Sequence, residues 1–169
     1  MAVFKPTGTL HCVTELTPEL LKALNVHMIV LDVDNTMSPH GSQAPFPGVR
    51  AWAQSVTASG VKLIVVSNNY KKRVAPFVAQ FNLPFVSFAC KPFPLGYLRA
   101  KKMAGTPCRE CLVVGDQIFT DRLAAGLYGI PCLYTMPRGG DHQKGVQFKR
   151  KFEPFWIARY YQKGGRLYE

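Results

Sequence analysis

Two carboxylates, Asp32 and Asp34, stand in the segment Asp32-Val33-Asp34-Asn35-Thr36, directly after the apolar run Met28-Ile29-Val30-Leu31. Ser67-Asn68-Asn69 closes a second apolar run, Lys91 follows a third, and Gly115-Asp116 closes a fourth, with Asp121 shortly beyond it. A set of this kind suits phosphoryl transfer through an aspartyl phosphate. A carboxylate is a weak nucleophile and a phosphate dianion repels it, so a divalent metal and neighbouring cations must offset the charge. In that chemistry Asp32 attacks, while Asp34 protonates the leaving alkoxide and then deprotonates the hydrolytic water. Mg²⁺ takes hard oxygen ligands and keeps several waters, so Asp32, Asp116 and the main-chain carbonyl of Asp34 are a sufficient protein contribution. Ser67 and main-chain amides bind the phosphoryl oxygens, and Lys91 offsets their charge.

The elements that must position these groups follow from hydrophobic spacing. A strand is expected over residues 28–33, then a helix with Val49, Trp52, Ala53 and Val56 on one face, then a strand over 61–66. The pattern repeats: a helix carrying Val74, Phe77, Val78 and Phe81, a strand over 85–88, a helix over 95–103 and a strand over 112–114. A helix around Leu123 and Leu127 leads to a final strand over 131–134. Such alternation predicts an α/β fold, a parallel sheet with helices on both faces and right-handed crossovers. Sites in open parallel sheets form at the carboxyl ends of the strands, which is where the polar residues fall.

With these residues in place, the chain resembles the haloacid dehalogenase superfamily. The four motifs are residues 29–36 (Ile-Val-Leu-Asp-Val-Asp-Asn-Thr), Val65-Val66-Ser67-Asn68-Asn69, Lys91-Pro92, and residues 114–121 (Val-Gly-Asp-Gln-Ile-Phe-Thr-Asp), in the family order. The nearer similarity is to the subfamily IIIA branch of YqeG-like and phosphatidylglycerophosphate phosphatase-like proteins. It extends to Leu16-Thr17-Pro18-Glu19, Lys72-Arg73-Val74 and the basic-aromatic tail, with Val33 and Met37 where Leu is commoner. The resemblance implies a three-layer Rossmann-like core and a Mg²⁺-dependent phosphomonoesterase. Catalysis would fall to Asp32 and Asp34, phosphate binding to Thr36, Ser67, Asn68 and Lys91, and the metal to Asp32, Asp34 and Asp116. Asp121 would support Lys91 or the metal shell. Residues 37–66 have room for a loop, a helix and a strand, and residues 70–90 for only a helix and a strand, so no large cap domain is expected over the crevice.

Each residue has a plainer reading as well. Asp34-Asn35 can be turn formers, Ser67-Asn68-Asn69 a helix cap, Lys91 a solvated lysine, Asp121 a first-turn acid and His40 a surface histidine. Four such coincidences at four strand ends favour a site. Cys108-x-x-Cys111 lacks the second ligand pair that a structural zinc site needs, so Cys111 is read as the opening of a strand. Walker A and Gly-rich dinucleotide motifs are absent from the sequence.

At 169 residues and 47% apolar composition, one folded domain is expected: a core over 1–136 with an N-terminal extension, and a basic-aromatic extension over 137–169. The formal net charge of +11 suits a polyanionic partner. Between Asn35 and Arg109 there is no Asp or Glu at all. Phe148, Phe152, Phe155 and Trp156 match one helical face with cations between them, as an interfacial helix on an anionic membrane would; core packing is the alternative. Residues 1–24 lack a signal-peptide pattern and no run suits a membrane span. A cytoplasmic location is expected, peripheral at a membrane if the tail binds one, with reduced thiols at the five cysteines. Three functions follow. The first is a phosphatase of a phospholipid head group such as phosphatidylglycerophosphate. The second is a phosphatase of soluble, protein or nucleic-acid phosphomonoesters. The third is a basic RNA-binding or assembly protein without turnover, which would need neither Asp32 nor Asp34.

Overall fold

The computed structural model describes residues 4–140 and 144–165. Its centre is one six-stranded parallel sheet in the order β1-β6-β5-β2-β3-β4, comprising β1 (Gly8–Leu10), β2 (Met28–Leu31), β3 (Lys62–Val66), β4 (Phe85–Val86), β5 (Cys111–Gly115) and β6 (Cys132–Thr135). The helices are α1 (Pro18–Ala23), α2 (Val49–Ala58), α3 (Lys71–Ala79), α4 (Leu95–Ala104), α5 (Leu123–Tyr128), α6 (Lys144–Arg150) and α7 (Glu153–Gln162).

The central strands β2 and β5 carry no polar side chain because both faces are covered. Alternate residues therefore serve different layers. Ile29, Leu31, Leu63 and Val65 pack with Leu21, Trp52 and Phe77 of α1, α2 and α3. Met28, Val30, Ile64 and Val66 pack with Tyr97, Ala100 and Ala124 of α4 and α5. This is the three-layer Rossmann-like arrangement expected from the alternation, and the segments between β2, β3 and β4 carry no cap domain.

Two strands differ from the sequence expectation. The first is β1, which pairs in parallel with β6 in the register Gly8↔Leu133 and Leu10↔Thr135. Three residues are too few to display a period, so only pairing reveals the strand. The N-terminal segment also reaches the core: Leu10, Val13 and Leu16 are fully buried, and the Trp52 indole N–H donates to the Leu16 carbonyl at 2.8 Å. The second is β4, which stops at Val86 because Phe88 adopts φ 49°, outside the strand region.

The C-terminal segment forms two helices, broken at residues 151–152, in place of the single amphipathic face expected. Trp156 stacks on Phe4 at 4.9 Å between centroids, whereas Phe148, Phe152 and Phe155 are exposed. Among the described residues no helix is long and apolar enough to cross a membrane.

Candidate active site

The chain runs outward from β2 in opposite directions, through β3 and β4 on one side and β5 and β6 on the other. A crevice opens where the connections diverge, at the carboxyl ends of β2 and β5. Leu31 is level with both Val65 and Val114, so Asp32, the next residue, emerges between the two neighbouring strands. Its N–H continues the ladder to the Val114 carbonyl at 3.0 Å. The crevice has a volume of about 130 Å³ and is lined by Asp32, Asp34, Ser67, Asn68, Asn69 and Lys91, with His40, Gln117, Thr120, Val146 and Lys149 around them.

Lys91 is the ionic centre. Its Nζ donates to Asp32 Oδ1 and Asp121 Oδ1, both at 2.6 Å, and to the Val66 carbonyl at 3.0 Å. An ammonium has three donors, and here the protein takes all three. Burial alone would depress this ammonium, but Asp121 and Asp32 outweigh it and hold the group above its ordinary value. Burial pushes the Asp32 carboxyl up to about 7, against the opposing pull of Lys91. The lysine's three protons are thus committed to the two carboxylates and the Val66 carbonyl.

Asp121 reaches Lys91 because residues 118–122 form a π-helical turn after β5. Tyr97 Oη donates to the Asp121 carbonyl at 3.2 Å. Gly115 makes room: a Cβ there would lie 2.4 Å from Asp121 Cγ. The glycine before Asp116 is thus needed for close approach of the second carboxylate.

Asp34 is held separately. Its Oδ1 accepts from the Gly41 N–H at 2.9 Å and from Arg73 Nη2 at 3.0 Å, and its Oδ2 accepts from the Asn69 amide at 2.6 Å. Ser67 Oγ accepts from the Asn69 N–H at 3.2 Å, which leaves the hydroxyl proton available. Two residues expected to touch phosphate have other partners in this structure. The Asn68 side chain is spent on the lysine segment, donating to the Lys91 carbonyl at 2.9 Å and accepting from the Lys91 N–H at 2.7 Å. Thr36 is buried, its hydroxyl 3.4 Å from that of Thr135.

Asp116 is fully buried at the floor. Burial pushes its carboxyl well above the ordinary range, against Arg150, which pairs with Oδ2. Its Oδ1 is buried without a hydrogen-bond partner. One oxygen each from Asp32, Asp116 and Asp121 lie within 4.8 Å of one another. Hard oxygen donors, excess negative charge and an orphaned carboxylate oxygen fit a divalent cation such as Mg²⁺.

A haloacid dehalogenase-like hydrolase family profile matches residues 11–129. The chain belongs to this family and is a hydrolase of it. It is 29% identical over 161 residues to the probable phosphatase YqeG of Bacillus subtilis, covering 95% of this chain and 94% of that protein. It is 27% identical over 150 residues to phosphatidylglycerophosphate phosphatase 1 of the Chlamydomonas reinhardtii chloroplast, covering 83% of this chain and 56% of that one. Among solved structures, the 4-nitrophenylphosphatase of Thermotoga maritima superposes with a TM-score of 0.54 at 11% identity, covering 73% and 90% of the two chains, a likeness of fold alone.

The haloacid dehalogenase motifs that the sequence displays converge on the crevice, but several residues that line or support it carry no strong signal. Asn69 and Arg73 lie within the segment that resembles relatives, yet only their hydrogen bonds to Asp34 distinguish them. Val146, Lys149, Arg150 and Glu153 come from the tail, whose composition suggests a surface.

Proposed function

We propose that the chain is a Mg²⁺-dependent phosphomonoester hydrolase working through an aspartyl phosphate on Asp32. The observation that carries this reading is the convergence of Asp32, Asp116 and Asp121 within 4.8 Å, with Lys91 bonded to Asp32 and Asp121. A pure binding module has no use for three buried carboxylates, one of whose oxygens, Asp116 Oδ1, lacks a hydrogen-bond partner.

Lys91 occupies Oδ1 of Asp32, so Oδ2 is the attacking oxygen. It forms a bond to phosphorus as the phosphorus–alkoxide bond breaks, and Asp34 gives its proton to the departing alkoxide. Asp34 then takes a proton from water, which attacks the acyl phosphate, releases inorganic phosphate and restores the Asp32 carboxylate. Arg73, Asn69 and the Gly41 N–H fix the position of Asp34 throughout. The Ser67 hydroxyl and the amides after β2 and β3 donate to the phosphoryl oxygens. Asp32, Asp116 and the main-chain carbonyl of Asp34 would hold the metal, with Asp121 beside them on Lys91. Mg²⁺, when bound, supplies the positive charge that lets a carboxylate approach a dianion.

Chelation is expected to abolish hydrolysis of an aryl phosphate, and added Mg²⁺ to restore it. Full activity in excess chelator would remove the metal from the reading.

The finer proposal is a phosphomonoester on a phospholipid head group. The crevice has no cap, and Tyr70 and Phe88 stack at 5.5 Å beside it while remaining 73% and 56% exposed. Phe93, two residues beyond Lys91, is 66% exposed, and Lys71 and Lys72 lie next to Tyr70. Aromatic and cationic residues at the mouth suit an anionic bilayer surface. Similarity to the chloroplast enzyme supports the same assignment. Replacing Phe88 and Phe93 with Ser is expected to lower binding to anionic vesicles and hydrolysis of a vesicle-borne phosphomonoester at least about tenfold, with aryl phosphate hydrolysis retained. Equal loss on both substrates, or wild-type indifference to anionic vesicles, would end the lipid assignment in favour of a soluble phosphomonoester.

A further inference from the structure

The C-terminal helices reach the acidic cluster through one side chain, Arg150. Arg150, the last residue of α6, bonds Asp116 twice, Nη1 to its carbonyl and Nη2 to its carboxylate Oδ2. Arg150 Nη1 also donates to Glu153 Oε2 at 2.7 Å, and Glu153 Oε1 accepts from the Ile118 N–H at 2.7 Å. Glu153 is 2% exposed. A part-buried arginine–glutamate pair thus fastens the junction of α6 and α7 to Asp116 and Ile118. The fastening sets one wall of the crevice, because Val146 and Lys149 of α6 line it.

This arrangement creates a conflict between cations. Asp116 offers a single carboxylate, which Arg150 already neutralises at Oδ2, and the same carboxylate belongs to the acidic cluster suited to a divalent ion. Two cations sharing one buried carboxylate weaken each other, and thermodynamic linkage makes the weakening reciprocal. We propose that Arg150 is a positioning residue of the metal site. It is a resident counter-cation that docks α6 and α7 on Asp116 and yields when a divalent cation binds. Metal occupancy then loosens the helix that walls the crevice, and docking of that helix lowers metal affinity. The inference rests on the Mg²⁺-dependent reading above and adds a link between the metal and the C-terminal helices.

Calorimetric titration of the full chain with Mg²⁺ and amide hydrogen exchange over residues 144–162 test it together. Arg150→Gln is expected to bind Mg²⁺ about tenfold more tightly than wild type, and Arg150→Lys to fall between them. Mg²⁺ is expected to speed exchange across α6 in the wild type, whereas Arg150→Gln exchanges rapidly from the outset and does not respond to the metal. Unchanged or weaker affinity in a folded Arg150→Gln variant overturns the proposal, as does α6 exchange that Mg²⁺ leaves unchanged or slows. Should the glutamine variant fail to fold, Arg150→Lys and wild-type exchange still decide. A wild-type chain that binds no Mg²⁺ defeats the Mg²⁺-dependent reading and this inference with it, while binding that ignores Arg150 defeats the inference alone.

Discussion

Asp32→Asn is expected to lower turnover of an aryl phosphate by about four orders of magnitude or more while leaving the fold intact. The amide removes the attacking oxygen's charge, and a nucleophile acting as one unit with its neighbours is not replaced by the rest of the site. The fold survives because the change removes a charge that is costly to bury: burial already pushes the Asp32 carboxyl up to about 7. Steady-state assay beside circular dichroism checks both halves. A folded asparagine variant with near-normal turnover would take Asp32 out of the mechanism.

Lys91→Met is expected to abolish activity and, unlike the first variant, to cost about 3–5 kcal/mol of stability. The methionine fills similar volume, but Asp32 and Asp121 lose the ammonium they share and stay buried. Removing one partner of a buried ionic group costs far more than an exposed pair is worth. The variant's own stability should rise as pH falls from about 7 towards 4, because without the opposing pull of Lys91 the Asp32 carboxyl stays at least as raised. A carboxyl whose value is raised by folding binds more protons in the native state than in the unfolded one across that window, so stability falls as pH rises. Urea unfolding of the variant at several pH values measures this. In the double variant Lys91→Met/Asp121→Asn, part of the stability should return and none of the activity. A loss below about 1 kcal/mol for the single variant would show that the lysine is not what holds the two acids.

Apolar patterning in the sequence marks strands β2 to β6, the helices between them and the strand ends from which chemistry emerges. Runs such as Met28–Leu31 and Cys111–Gly115 are buried on both faces, so apolarity at every position marks them, and helical spacing at Val49, Trp52 and Val56 marks a face that must be covered. Asp32, Ser67, Lys91 and Asp116 were legible because parallel topology sends every strand's carboxyl end to the same edge, whatever the intervening chain contains. Periodicity cannot show a partner that is distant in sequence and irregular in backbone. Only the tertiary structure gave β1 its place beside β6, gave Asn68 to the lysine segment, and used a π-helical turn over Gly115 to bring Asp121 onto Lys91. It also turned Arg150 of the basic tail inward to Asp116. A cation on a solvated face and a cation paired with a buried carboxylate are the same letter in a sequence. The buried charge it meets decides between them, and that charge is a property of the packed molecule.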